Sequence, residues 1–161
     1  DGSYPRVLDV GCGTGWSALA MHTRFGCSHI VGVDPAQGML DVFAEKIGEL
    51  DGVTVELRAA DVMDMGVADE SVDAVISSMA MHWFPDKPGA AKAMARPLVP
   101  GGVIGILCSG RGGEDEFREV LRSLTPPAPS SWDAAFGCGF RPLFARMVVP
   151  PSSVMRRLTG A

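Results

Sequence analysis

Apolar residues along the first two thirds of the chain fall into short blocks with two alternating rhythms. Val7-Leu8-Asp9-Val10 is a brief apolar run that passes straight into Gly11-Cys12-Gly13-Thr14-Gly15. It reads as a buried strand entering a tight glycine turn, and Trp16 to Met21 then begins a helix. His29 to Asp34 is a second short strand that ends in an acid. From Ala36 to Leu50 the period changes, with Met39, Leu40, Phe43, Ile47 and Leu50 on one helical face. Asp51-Gly52 is a turn, and Val53 to Arg58 a third strand running into Ala59-Ala60-Asp61-Val62. An acidic turn at Asp69–Ser71 precedes a fourth strand that closes on Ser77-Ser78. Ala90 to Leu98 predicts a helix ended by Pro97 and by Pro100-Gly101-Gly102. Val103 to Cys108 is continuously apolar, as a central parallel strand is.

Beyond Gly110 the pattern loosens. Glu114 to Leu124 predicts a polar-faced helix and Pro126 to Ser131 a linker-like run. Trp132 to Phe136 is a short helix, Phe140 to Val149 a sixth strand, and Ser152 to Leu158 the start of a last helix. Strands alternating with helices predict a doubly wound, Rossmann-like α/β domain. Its sheet is mostly parallel, in a three-layer α/β/α arrangement incomplete at the C-terminal strand. Residues 1–161 are expected to form one domain, with a core over 6–108 and an acceptor-side region over 109–161.

Composition narrows the class without changing the fold. The chain has 161 residues, 47% hydrophobic and 20% charged, enough for one domain with a true core. Its formal net charge of -5 disfavours a nucleic-acid partner. No apolar run approaches the roughly 20 residues that cross a bilayer, so no membrane partner is expected and the location is taken as cytoplasmic. Cys12, Cys27, Cys108 and Cys138 are scattered without a CxxC pair, so neither a disulfide framework nor a metal site is expected. Because the first residue is Asp1 and a strand begins within ten residues, the chain reads as a piece trimmed at its N-terminus.

The candidate chemistry sits at the ends of the strands, where open α/β sheets bind ligands. The glycines of the first turn let the backbone bend sharply and approach a ligand closely. Asp34 lies about 20 residues past that turn, where a carboxylate takes both hydroxyls of a ribose; equally, it starts the next helix with Pro35 at the first position. Met39 is either core or a cover for a flat purine ring. Asp61 is either a loop aspartate or an acceptor for an exocyclic amine, with Val62 packed on the ring. His82 and Trp83, in the loop after strand four, border the expected reacting centre. His82 is a candidate base near neutral pH or a structural histidine.

Dinucleotide sites space their glycines G-x-G-x-x-G to seat a pyrophosphate on a helix N-terminus. Here the spacing is Gly11-x-Gly13-x-Gly15, preceded by Asp9. A neighbouring carboxylate repels a pyrophosphate and suits a ligand with an amino group, which points to S-adenosylmethionine. The runs VLDVGCGTG, VGVDPAQGML, AADVMDM, VDAVISSMAMHW and LVPGGVIGI resemble, in order, class I S-adenosylmethionine-dependent methyltransferases. The His82-Trp83 pair resembles the small-molecule branch that includes trans-aconitate and malonyl-carrier-protein methyltransferases, and GCGFRPLFARMVV resembles the family's sixth strand.

The resemblance implies a role for each candidate. Asp9 lies near the methionine amino group; Gly11, Cys12 and Gly13, with Gly15 closing the turn, carry the backbone past the methionine and ribose. Asp34 takes the ribose hydroxyls, Met39 borders adenine, and Asp61 and Val62 meet its amine and ring. Ser77 contacts the cofactor near the transferring methyl, and His82 and Trp83 line the pocket of a small-molecule acceptor. A carboxylate acceptor needs no base, whereas a hydroxyl does; Arg111 or Arg141 is a candidate for binding an acceptor carboxylate. The helices that precede strand one in the family, and its last strand, have no counterpart here, so weak cofactor binding by the chain alone is expected. The alternatives are a non-catalytic S-adenosylmethionine-binding module, a nicotinamide-dependent dehydrogenase, or a methyltransferase for RNA or protein. The last lacks its basic face and its Pro-Pro-Tyr type loop.

Overall fold

The computed structural model describes residues 4–48 and 50–107. The elements expected after Gly110, together with Arg111, Arg141, Cys108 and Cys138, lie outside the described residues. In chain order the elements are β1 (Arg6–Val10), α1 (Trp16–Phe25), β2 (His29–Asp34), α2 (Gln37–Ile47), β3 (Thr54–Ala59), β4 (Val72–Ser78), a 3₁₀ turn (Met81–Trp83), α3 (Lys87–Ala95) and β5 (Leu98–Leu107). The five strands form one sheet in the order β3-β2-β1-β4-β5, and every pairing is parallel. The chain builds outward from β1 to β2 and β3, then returns to add β4 and β5 on the other side. The reversal between β1 and β4 opens a crevice above the carboxyl ends of both strands.

Burial on both faces explains why β1 reads as a nearly unbroken apolar run: each residue from Val7 to Val10 is buried. On one face Val7, Ile30 and Ala74 pack with Ala18 of α1 and Leu40 and Phe43 of α2. On the other, Leu8, Val10, Val75 and Ile104 pack with Ala90, Ala91, Met94 and Ala95 of α3. The result is the expected helix–sheet–helix sandwich.

Two elements differ most from the sequence expectation. The helix expected over Ala90–Leu98 starts at Lys87 and ends at Ala95. Asp86 caps it, its carboxylate accepting the Gly89 N–H at 2.9 Å, and Pro88 is tolerated in the first turn, where no intrahelical partner is lost. The Pro100-Gly101-Gly102 run is no terminator but lies inside β5. A register shift between Val72 and Ala74 absorbs it, with Gly101 at φ +85°.

Candidate functional site

The glycine turn is built from β1 toward its neighbours. The N–H groups of Gly11 and Cys12 both donate to the Val33 carbonyl, at 2.8 and 3.1 Å, which hooks the turn onto the end of β2. The Gly13 N–H donates to Asp34 Oδ2 at 2.9 Å, while Asp34 Oδ1 accepts the Ala36 N–H at 2.9 Å. Asp34 therefore opens the next helix, one of its two readings from the sequence, and also ties the glycine turn to β2. From α2, Lys46 Nζ donates to the Thr14 carbonyl at 2.8 Å and lies 4.4 Å over the Trp16 ring.

Two glycines in the turn have different reasons to be there. Gly13 has φ +51°, and a Cβ on it would meet nothing within 4 Å, so its backbone lies open to a ligand. Gly15 has φ +84°, and a Cβ would stand 2.2 Å from the Phe43 ring. Gly15 thus packs between the turn and α2 and is not among the residues that line the cleft. Gly15→Ala is expected to cost about 2–3 kcal/mol, from the left-handed backbone and the displaced ring; the midpoint of urea unfolding checks it.

Above the carboxyl ends of β1 to β4 lies an open cleft of about 580 Å³. That volume suits a nucleoside-sized ligand. Its wall holds Gly11, Cys12 and Gly13 from the turn, and Asp34 and Met39 from the end of β2 and the start of α2. Asp61 and Val62 join it from the end of β3, and Trp83 from the 3₁₀ turn. Eight residues singled out in the sequence thus meet at one cleft. Asp61 Oδ1 accepts the Met63 N–H at 2.9 Å, which fixes its loop. Asp34 and Asp61 are the charged residues of the described wall, so it favours a ligand with cationic groups.

Four expected site residues are placed elsewhere. Asp9 is fully buried behind the wall, under Ser17, whose hydroxyl donates to Asp9 Oδ2 at 2.7 Å. Its other oxygen, Oδ1, has no protein partner. Burial pushes the Asp9 carboxyl up to about 7 and the nearby Asp34 charge adds to this, opposed by hydrogen bonds from Ser17 and the Ala18 N–H. Gly15 packs on Phe43, as above. Ser77 is buried with an unpartnered hydroxyl, and its neighbour Ser78 lines the cleft instead. In a strand a one-residue offset reverses the face, and the sequence run Ser77-Ser78 does not say which serine looks outward. His82 is exposed and off the wall, its ring 5.1 Å from that of Trp83. Side chains one residue apart in a 3₁₀ turn diverge by about 120°, so only one of the pair lines the cleft.

Cys12 contributes its backbone alone. Its sulfur lies in the α1–α2 core, and burial, followed by the charges of Asp9 and Asp34, pushes the thiol well above its ordinary range. Ser17, Trp16, Met79 and Ala80 line the cleft without having been singled out. For Ser17 the available signal was its place in the first turn of α1, beside the glycines. Met79 carried none, because its role follows from a backbone at φ +55° that turns the chain out of β4.

The sequence of residues 7–102 matches the methyltransferase-domain family, more than half of the chain. The chain belongs to the S-adenosylmethionine-dependent methyltransferase family. Within it, the malonyl-[acyl-carrier protein] O-methyltransferase of Hahella chejuensis is 30% identical, over 99% of this chain and 61% of the relative. The trans-aconitate 2-methyltransferase of Variovorax paradoxus is 27% identical, over 77% of this chain and 46% of the relative. Among solved structures, an S-adenosylmethionine dependent methyltransferase from Mesorhizobium loti superimposes with a TM-score of 0.55 at 30% identity, over 66% of this chain and 47% of that one. The chain therefore spans about half to three fifths of the length of these methyltransferases. Among the described residues no helix is long and apolar enough to cross a membrane.

Proposed function

We propose that this methyltransferase-family chain binds S-adenosylmethionine in the cleft and passes its methyl group to a small-molecule acceptor, at a carboxylate or hydroxyl oxygen. The carrying observation is Asp34. Two backbone N–H groups hold its carboxylate, one on each oxygen. A carboxylate has about four acceptor positions, so two are left for the vicinal hydroxyls of a ribose. Asp61 accepts from the adenine amine, Val62 forms the floor beneath the ring, and Met39 covers it. The open backbone at Gly13, with Gly11 and Cys12 beside it in the wall, follows the methionine portion. Asp9 acts from behind the wall: it orients Ser17, which lines the cleft, and its carboxylate charge favours a cationic group there.

The bound cofactor supplies a methyl already activated by its sulfonium. Transfer would form the bond from acceptor oxygen to methyl carbon as the carbon–sulfur bond breaks, leaving a neutral thioether in the cleft that Asp34, Asp61 and the glycine turn would hold. The protein's task is alignment and exclusion of water. A carboxylate acceptor needs no base, and with His82 off the wall no side chain is assigned that role. Residues 109–161 are proposed to complete the same domain on the acceptor side.

Isothermal titration tests the cofactor assignment: S-adenosylhomocysteine is expected to bind and NAD not to. Tighter binding of NAD overturns it. Transfer of a labelled methyl to a panel of carboxylic acids and phenols tests the reaction. Cofactor binding with no transfer to any of them would make the chain a cofactor-binding module instead.

A further inference from the structure

Seven large hydrophobic residues are exposed among the described residues, and four of them, Trp16, Met39, Met79 and Trp83, line this cleft. Scattered singly they would need no explanation; gathered at a ligand cleft they do. Trp16 and Trp83 are 72% and 78% exposed, so neither indole contributes much to folding. Yet both are held. Lys46 covers one face of Trp16 and is itself fixed by the Thr14 carbonyl; the His82 ring stands beside Trp83. Held, exposed indoles present large apolar area at low conformational cost.

Their place in the sheet assigns them to a part of the ligand. The polar groups suited to a nucleoside, Asp34 and Asp61, follow β2 and β3. Trp16 follows the turn after β1, and Met79 and Trp83 follow β4. A cofactor with its nucleoside at Asp34 and Asp61 would direct its sulfonium end toward the β1–β4 crevice, which Trp16 borders from the start of α1 and Trp83 from the turn after β4. Resting on the function proposed above, we infer that Trp16 and Trp83 form an apolar rim that selects the acceptor. The substrate class is an acceptor with an alkyl or aryl body beside the methylated oxygen, rather than a compact polycarboxylate.

Titration of hexanoate, octanoate, decanoate and citrate into the full chain, with and without S-adenosylhomocysteine, tests this. Affinity is expected to rise along the three alkanoates, by up to roughly fourfold per methylene, with citrate the weakest. Trp16→Ala and Trp83→Ala should each flatten the rise, and Trp16→Phe should restore most of it. Equal affinity along the series, citrate binding tighter than decanoate, or a rise unchanged in both alanine variants would overturn the inference. Failure to bind S-adenosylhomocysteine while the chain-length rise persists would instead overturn the cofactor assignment.

Discussion

Asp34→Ala is expected to weaken binding of S-adenosylhomocysteine by at least about a hundredfold. Hydrogen bonds to a charged group contribute roughly 1.5–3 kcal/mol each, and two to the ribose would be lost together. The variant also removes the acceptor for the half-buried Gly13 N–H, 2.9 Å away, so the turn loses its tie to β2. An unpaired donor there costs about 1–3 kcal/mol of stability. Asp34→Asn separates the two losses. Its one carbonyl oxygen can keep the Gly13 bond, while its amide nitrogen accepts neither from the exposed Ala36 N–H nor from the second hydroxyl, so the tie of the turn to β2 should hold and the affinity fall by roughly tenfold. Calorimetric titration read beside thermal unfolding distinguishes these outcomes. Unchanged affinity in a folded Asp34→Ala variant would remove Asp34 from the ribose site.

The contrast between Asp34 and Asp9 shows what a sequence can and cannot disclose about such a site. Both acids sit at a strand end beside the glycine turn, and charge and spacing alone give them similar standing. Asp34 is the last residue of β2 and meets the cleft. Asp9 is one residue short of the end of β1, and every residue from Val7 to Val10 of that strand is enclosed. The same enclosure that made β1 legible as an apolar run hid the acid inside it. The alternation of strands and helices, the sandwich and eight wall residues follow from periodicity and turn chemistry, which are local. The choices between Ser77 and Ser78, and between His82 and Trp83, depend on a one-residue phase. Nothing in their composition sets it; packing of Val75 and Ile106 below and of Met81 beside them does. The start of α3 was hidden for a related reason: its signal is the Asp86 cap, four residues ahead of Ala90, the first apolar core position of the helix.

Asp9 gives the second large effect, one of pH. Its folded-state value of about 7 lies above the ordinary 3.8. The folded protein therefore holds a proton that the unfolded chain has released across that range. The corresponding stability is fully present below pH 3.8 and is lost as pH rises through 7. At 1.36 kcal/mol per pH unit, the whole span is worth about 4 kcal/mol. Other acids also titrate: Asp73, held down by hydrogen bonds from Arg6, contributes in the opposite direction, losing stability as pH falls. Comparison with Asp9→Asn cancels these shared contributions. Asparagine still accepts the Ser17 hydroxyl but cannot ionise, so the variant should gain on the parent by about 4 kcal/mol between pH 4 and pH 8, whatever its absolute stability. Urea unfolding at several pH values reads this difference directly, and a constant difference would mean that Asp9 ionises freely. Cofactor binding should couple to the same proton. A cationic amino group brought near Asp9 favours the carboxylate, so binding near pH 6.5 is expected to release a proton in the parent and none in Asp9→Asn. Calorimetry in buffers of differing ionisation enthalpy counts that proton, and equal release by both proteins would separate Asp9 from the amino group.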